Sequence, residues 1–437
     1  MAPVAAVRQR EPASEHRFAA SPGPACEADH TCDRATLARV NATLLPIDAG
    51  RRPLEDHRDL AGGEALDRIR AAAGALGGAT VVCLTSADAT ASQAPHYLRS
   101  LLPLLADAGV DVRWRALAGG ENARVGEWLE QALGGAEFAA SATEWANWVE
   151  ESAAALEPEL AHADLVVVHD AAALGCLAAA RADGTRCAWS RHEDAGNADA
   201  DAAGRVHELL ESVEVVDVDP AIDPLGPRNN ELPRQLSGQV LRSLGVDLTR
   251  PYVCQTGVID RWTDPHSAID AFDALKGSLP ELQLVIAGAL PGEGAGDMRI
   301  AKEIDDYAEG RGDVHVKTGY GGIGNVELNA LQRVARAGLA LSLRTDTGPS
   351  RLETWWKSTP VVGSGTGPLA VEDGRDGFAA DDAEAVASRI EELVRDPGLA
   401  VELGAAGHER VRARHLITRA VEDELRLAGS LLGTVAG

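Results

Sequence analysis

Gly338-Leu-Ala-Leu-Ser-Leu-Arg-Thr-Asp-Thr-Gly-Pro-Ser-Arg-Leu-Glu-Thr-Trp-Trp-Lys357, then Pro360-Val-Val-Gly-Ser-Gly-Thr-Gly367 and Asp373-Gly-Arg-Asp-Gly-Phe378, is the stretch that decides the fold. Leu339 to Leu343 reads as an apolar strand running into a Gly-Pro turn. A helix follows, with one carboxylate, Glu353, in its first turns. Pro360 to Gly363 is a second strand that ends in a glycine-rich loop, and Asp373-Gly374…Gly377 marks another turn. A strand-loop-helix unit of this kind brings helix amides and a carboxylate to the carboxyl edge of a parallel sheet, where open α/β sheets bind nucleotides.

Outward from that stretch the same alternation repeats. Strands are expected at 252–256, 282–287 and 314–317, with helices at 265–277, 299–309 and 325–336 between them. Helices at 382–396, 398–413 and 416–432 close the chain. Upstream, Thr80 to Leu84, a helix over Ser92 to Ala108, and Val110 to Trp114 form a βαβ unit, which implies a parallel sheet. Leu165 to His169 and Ala188 to His192 are apolar strands with polar C-terminal ends, the pattern of a sheet buried on both faces. Pro220, Pro224, Pro227 and Pro233 mark a linker between the two cycles. The fold class is therefore α/β: two doubly wound parallel-sheet domains facing each other across a cleft. The expected divisions are a mobile extension over 1–45, an acceptor-side domain over 46–235, a donor-nucleotide domain over 236–415, and a helix over 416–437 that packs back on the first domain.

The formal net charge of -26 over 437 residues argues against a phosphate-backbone partner. Of 41 basic residues only Lys276, Lys302, Lys317 and Lys357 are lysines. Dense acid with scarce lysine suits high salt, where a Debye length of roughly 3 Å screens self-repulsion. A halophilic source and an acidic protein of a GC-rich bacterium both fit. The six cysteines have no metal spacing, and Cys83 and Cys254 sit in apolar strands. Buried thiols in a reducing cytoplasm are expected. Cys26 and Cys32 flank Asp29-His30, a weak hint of metal binding. No apolar run is long enough to cross a membrane and no signal peptide is visible, so a cytoplasmic location is expected.

Several motifs are more specific than the fold. Pro220-Ala-Ile-Asp-Pro-Leu with Asn229 and Glu231-Leu232, Trp189-Ser-Arg-His192-Glu-Asp, Asp164-Leu-Val-Val-Val-His169-Asp170, Glu327-Leu-Asn329-Ala-Leu-Gln332-Arg333 and Thr354-Trp-Trp356-Lys stand in one order along the chain. In that order they resemble a retaining GT-B glycosyltransferase of family 4, of the trehalose glycosyltransferring synthase type. The resemblance covers about residues 52 to 432.

It implies an enzyme that moves glucose from a nucleoside diphosphate glucose, a co-substrate rather than a cofactor, to a sugar acceptor. The leaving phosphate itself takes the acceptor's proton, so neither protein nucleophile nor metal is implied. The implied catalytic residues are His192, beside the reacting sugar, and Asp346, which adjoins Thr345 where the family has the first of two glutamates. The implied donor-binding residues are Glu353 on the ribose, Gly257 and Arg261 after the first donor-domain strand, and the Thr347-Gly348-Pro349 turn. His192 at a strand end also reads as a structural residue, and Glu353 as a carboxylate serving its helix dipole.

The chain also departs from the family. Val258 and Thr263 stand where the family has an arginine and a lysine on the donor phosphates, and Ala89-Thr-Ala-Ser-Gln93 replaces its glycine-rich loop. Two lost cations cost roughly 3 kcal/mol each of transition-state stabilisation, on the scale of a removed oxyanion donor. A non-catalytic homologue that binds sugar, nucleotide or a partner enzyme is thus the second reading, and a lipid-linked donor the third. Small-molecule donor and acceptor are the expected partners, and a homodimer is one option the sequence leaves open.

Overall fold

The computed structural model describes residues 41–47, 52–87, 94–192, 198–259, 262–290, 295–318, 323–343 and 348–434. Two six-stranded sheets lie within one compact unit. The first is ordered β1-β3-β2-β4-β5-β6, from β1 (Asn41–Leu45), β2 (Thr80–Ser86), β3 (Asp111–Ala118), β4 (Leu165–Val168), β5 (Arg186–Arg191) and β6 (Glu214–Asp217). The second is ordered β12-β11-β10-β7-β8-β9, from β7 (Tyr252–Val258), β8 (Gln283–Ala289), β9 (Val314–Thr318), β10 (Ala337–Ala340), β11 (Val361–Gly363) and β12 (Gly377–Ala379). Every pairing is parallel except that of β1 with β3. Residues 41–45, assigned to the extension by the sequence reading, are therefore an edge strand, with Thr43 opposite Ala116.

The apolar runs explain the layers. β4 is Leu-Val-Val-Val and buried throughout, because helices cover both faces of the sheet. The helices that shape the cleft are α1 (Gly63–Ala75), α2 (Ala94–Asp107), α3 (Ala142–Leu160), α4 (Asn325–Val334), α5 (Pro349–Trp356), α6 (Ala383–Arg395), α7 (Pro397–Arg414) and α8 (Ile417–Leu432). Helix starts follow local chemistry. Ser141 and Glu144 form a reciprocal cap on α3, and Asp396 caps α7 ahead of Pro397. α8 buries Ile417, Val421 and Leu425 against Leu66 and Ile69 of α1 and Leu98 and Leu101 of α2. The chain thus ends on the first sheet's domain.

α7 lies close on α5 because Gly404 and Gly407 face it. A Cβ on Gly404 would overlap the Ser358 carbonyl, and one on Gly407 the Trp355 ring. Gly404→Ala is therefore expected to cost about 1–3 kcal/mol, the usual range for overpacking. Thermal unfolding monitored by circular dichroism checks this; an unchanged melting temperature would mean that α7 shifts freely.

Candidate functional site

Sheet order locates the site before any side chain is considered. In the second sheet the chain goes from β7 outward to β8 and β9, then returns to β10 on the other side of β7. In the first sheet β2 and β4 stand in the same relation. Such topological switch points open a crevice at the carboxyl ends of the strands.

At the second sheet's switch point, Gly257 near the end of β7 has φ +134°, and a Cβ there would meet the Ser350 side chain at 3.2 Å. α5 is tied to β7 by Thr256 Oγ1 and Ser350 Oγ at 2.9 Å, and Gln332 Nε2 donates to Thr256 Oγ1 at 2.8 Å. Gly348 is the N-cap of α5 and Pro349 its first residue. From this base Glu353 projects into the interior, 1% exposed. Burial alone would raise its carboxyl. Arg228, Lys357 and His96, with a hydrogen bond from Gln332, outweigh that and hold it below the usual range. Arg228 Nη1 lies 3.4 Å from Glu353 Oε1. Lys357 Nζ donates to Asn229 Oδ1 and to the Glu353 carbonyl, both at 2.9 Å. Burial pushes Lys357 down to about 7 even beside that carboxylate. Arg228 and Lys357 thus act together as the counter-charge of the buried Glu353 carboxylate.

The two positions that the sequence resemblance sets against donor-phosphate cations lie close by. Val258 is half-buried as the last residue of β7. Thr263 sits in an antiparallel bridge to Ser342, reinforced by Leu343 N donating to Trp262 O at 2.8 Å. The expected strand over 339–343 therefore stops at Ala340. Arg261, Thr345, Asp346, Thr347, the Ala89 to Gln93 loop and Cys26 to Cys32 fall outside the described residues. Among those described, no group of three or more His, Cys, Asp or Glu side chains is placed to hold a metal.

At the first sheet's switch point His192 follows β5 and His169 follows β4. His192 Nε2 lies 3.3 Å from His169 Nδ1, and the Tyr97 ring sits edge-on to His192 at 4.8 Å. Asp170 Oδ2 accepts from Ser86 N at 2.8 Å, which fixes the β2 and β4 ends together. Burial pushes His192 down to about 3; burial and the neighbouring His192 push His169 well below its ordinary value. Both rings are neutral at working pH. Each has a folded value depressed below the unfolded value of about 6.5. The His192 contribution is thus complete above pH 6.5 and is lost as pH falls toward about 3, by up to roughly 1.4 kcal/mol per pH unit, and that of His169 is lost in the same direction. Denaturant unfolding at pH 7.5, 6 and 5 is expected to give falling stability, with a shallower fall in His192→Asn.

Of the residues proposed from sequence, the structure gathers Glu353, Gly257, Gly348 and Pro349 around the β7–β10 crevice. It sets His192 with His169 at the other sheet's edge. Arg228, Lys357 and His96 were missed. Lys357 stands four residues after Glu353, as the C-cap of α5, and is one of four lysines, a signal present in the sequence. Arg228 had none, since only the path of the linker brings it to Glu353.

Comparisons with known proteins agree with this fold. Residues 95–219 match the trehalose synthase N-terminal domain, and residues 239–410 match glycosyl transferases group 1. A trehalose synthase of Rubrobacter xylanophilus is 30% identical over 416 residues, covering 89% of this chain and 100% of that protein. One from Pyrococcus horikoshii is 27% identical over 417 residues, covering 89% and 98%. Among solved structures, an α,α-trehalose-phosphate synthase (UDP-forming) from Burkholderia vietnamiensis superimposes with a TM-score of 0.62 at 13% identity, covering 82% of this chain and 100% of that one. A sucrose-phosphate synthase from Thermosynechococcus elongatus gives 0.61 at 16% identity, with the same coverage, 82% and 100%.

Proposed function

Because the chain belongs to the trehalose synthase family of GT-B glycosyltransferases, we propose that it transfers glucose from a nucleoside diphosphate glucose to glucose or a related sugar, with retention at the anomeric carbon. The observation that carries this reading is Glu353. It is a buried carboxylate held below its usual range at the β7–β10 crevice, with Arg228 3.4 Å away and Lys357 donating to its own carbonyl. In that position it accepts hydrogen bonds from the ribose hydroxyls. Backbone at Gly257, Gly348 and Pro349 lets the diphosphate come close, and Lys357, at the end of the helix that carries Glu353, adds positive charge beside it. Arg261, Asp346 and Thr347 lie outside the described residues, and their assignment rests on the sequence motif alone.

In the reaction the bond between the anomeric carbon and the phosphate oxygen breaks. The acceptor hydroxyl forms its bond to that carbon on the same face, and its proton passes to the departing phosphate oxygen. Neutral His192 holds a hydroxyl of the reacting sugar. As written, the step needs no resident cofactor or metal. A cytoplasmic setting fits the free buried thiols Cys83, Cys176, Cys187 and Cys254, and no helix among the described residues is long and apolar enough to cross a membrane.

Val258 and Thr263, which bring no cation to the donor phosphates, favour a second reading in which the protein binds ligand without turnover. An assay separates the two. UDP-glucose or ADP-glucose is incubated with glucose, and nucleoside diphosphate and non-reducing disaccharide are quantified. Glucose-dependent release of both in equal amounts is expected; no release from either donor by folded protein would favour the second reading.

A further inference from the structure

Between α2, the β1 end and the interdomain linker lies a cavity of about 390 Å³, within the range of small-molecule sites. Its charge is opposite to that of the chain. In a protein of net charge -26, the described part of the wall carries Arg52, Arg99 and Arg228 with His57 and His96, against one described carboxylate, Asp223. Asp223 is already committed. Its Oδ2 pairs with Arg52 at 2.7 Å, while its Oδ1 lies 3.4 Å from His57 Nε2 and accepts from Leu225 N at 2.9 Å. Among the described residues Arg99 has no carboxylate partner; its guanidinium rests 5.8 Å from the centre of the Trp114 ring. Arg228 shares Glu353 with Lys357 and is directed by Asn325 Oδ1 at 2.9 Å. The cavity therefore has uncompensated guanidinium charge, the group best suited to phosphate.

The rest of the wall suits a polyhydroxylated body. Ser100 and Asn325 line it, while the Asn229 amide beside them is engaged, donating to the Asp223 carbonyl and accepting from Lys357, both at 2.9 Å. Pro103, inside α2, has no N–H to give the Arg99 carbonyl, so the helix pattern leaves that acceptor without its usual donor. A bare phosphate would fill only a small part of 390 Å³.

We propose that this cavity is a second binding site, for a phosphorylated monosaccharide, separate from the donor crevice. Its phosphate lies between Arg99 and Arg228 and its hydroxyls meet the amide and hydroxyl groups of the wall. The site is placed to act on domain closure, because one wall is the linker itself. Ile222 is bridged to Leu416, so both chain crossings between the sheets meet beside the cavity. Arg228 joins this wall to Glu353.

The test is calorimetric titration of glucose 6-phosphate into the full chain at low ionic strength, with glucose and inorganic phosphate as controls. The expected result is one saturable site, at least tenfold tighter than either control and retained when UDP is saturating. Arg99→Ala is expected to weaken it tenfold or more and Arg99→Glu to abolish it, both variants binding UDP-glucose as the wild type does. The proposal is overturned by any of three results: stoichiometric displacement by UDP, equal affinity for inorganic phosphate, or indifference to both Arg99 variants. A failed donor reading leaves a different signature, loss of UDP-glucose binding with the glucose 6-phosphate site intact.

Discussion

Glu353→Gln is expected to raise the dissociation constant for the nucleotide sugar at least 100-fold. A hydrogen bond to a charged acceptor contributes roughly 1.5–3 kcal/mol, and two ribose hydroxyls on one carboxylate reach about 3 kcal/mol or more, where each 1.4 kcal/mol is tenfold. Glutamine keeps the shape but offers one weaker acceptor. It also removes the counter-charge of Arg228 and Lys357. Breaking a buried pair costs roughly 3–5 kcal/mol. The loss here falls toward the lower end, because Arg228 keeps some solvent contact and Lys357, already at about 7, sheds its proton. Calorimetry and thermal melting on the same sample separate these effects. A variant that melts lower yet binds the donor like the wild type would assign Glu353 to anchoring the linker alone.

His192→Ala is expected to lower kcat/KM about 100- to 1,000-fold, the usual cost of deleting one preorganised hydrogen-bonding group at a reacting centre. Donor binding should weaken far less, since only one sugar hydroxyl loses its partner while the nucleotide keeps its contact at Glu353. Its imidazole is held neutral by burial, so it acts as a hydrogen-bonding group and not as an acid or base. The pH profile of kcat/KM should accordingly have no limb near 6.5 that His192→Ala removes. Such a limb would contradict the neutral assignment, and a loss under tenfold would leave His192 as packing for His169 and Tyr97.

Much of the architecture was legible in the sequence because apolar period and punctuation agree there. Val166 to Val168 is apolar on both faces, and Gly109, Pro349 and Pro397 mark element ends where the structure has them. What the sequence hid was long-range. Asn41 to Leu45 is five residues without flanking pattern, and it becomes a strand only because the β3 edge, some seventy residues on, accepts it. Leu341 to Leu343 continues an apolar run yet leaves the parallel ladder, since Trp262 and Thr263 offer a local antiparallel partner. The site followed the same division. Glu353 announced itself by its strand-turn-helix setting. The ionic environment that keeps it charged comes from a linker residue, Arg228, and from α2 in the other domain, neither of which local pattern reveals.

Titration of UDP-glucose and ADP-glucose into the full chain, in molar potassium chloride and again at low salt, tests the central claim most directly. The account predicts saturable, one-to-one binding of at least one donor that vanishes in Glu353→Ala. The absence of heat with both donors, on protein that melts cooperatively, would contradict a working donor crevice built around Glu353.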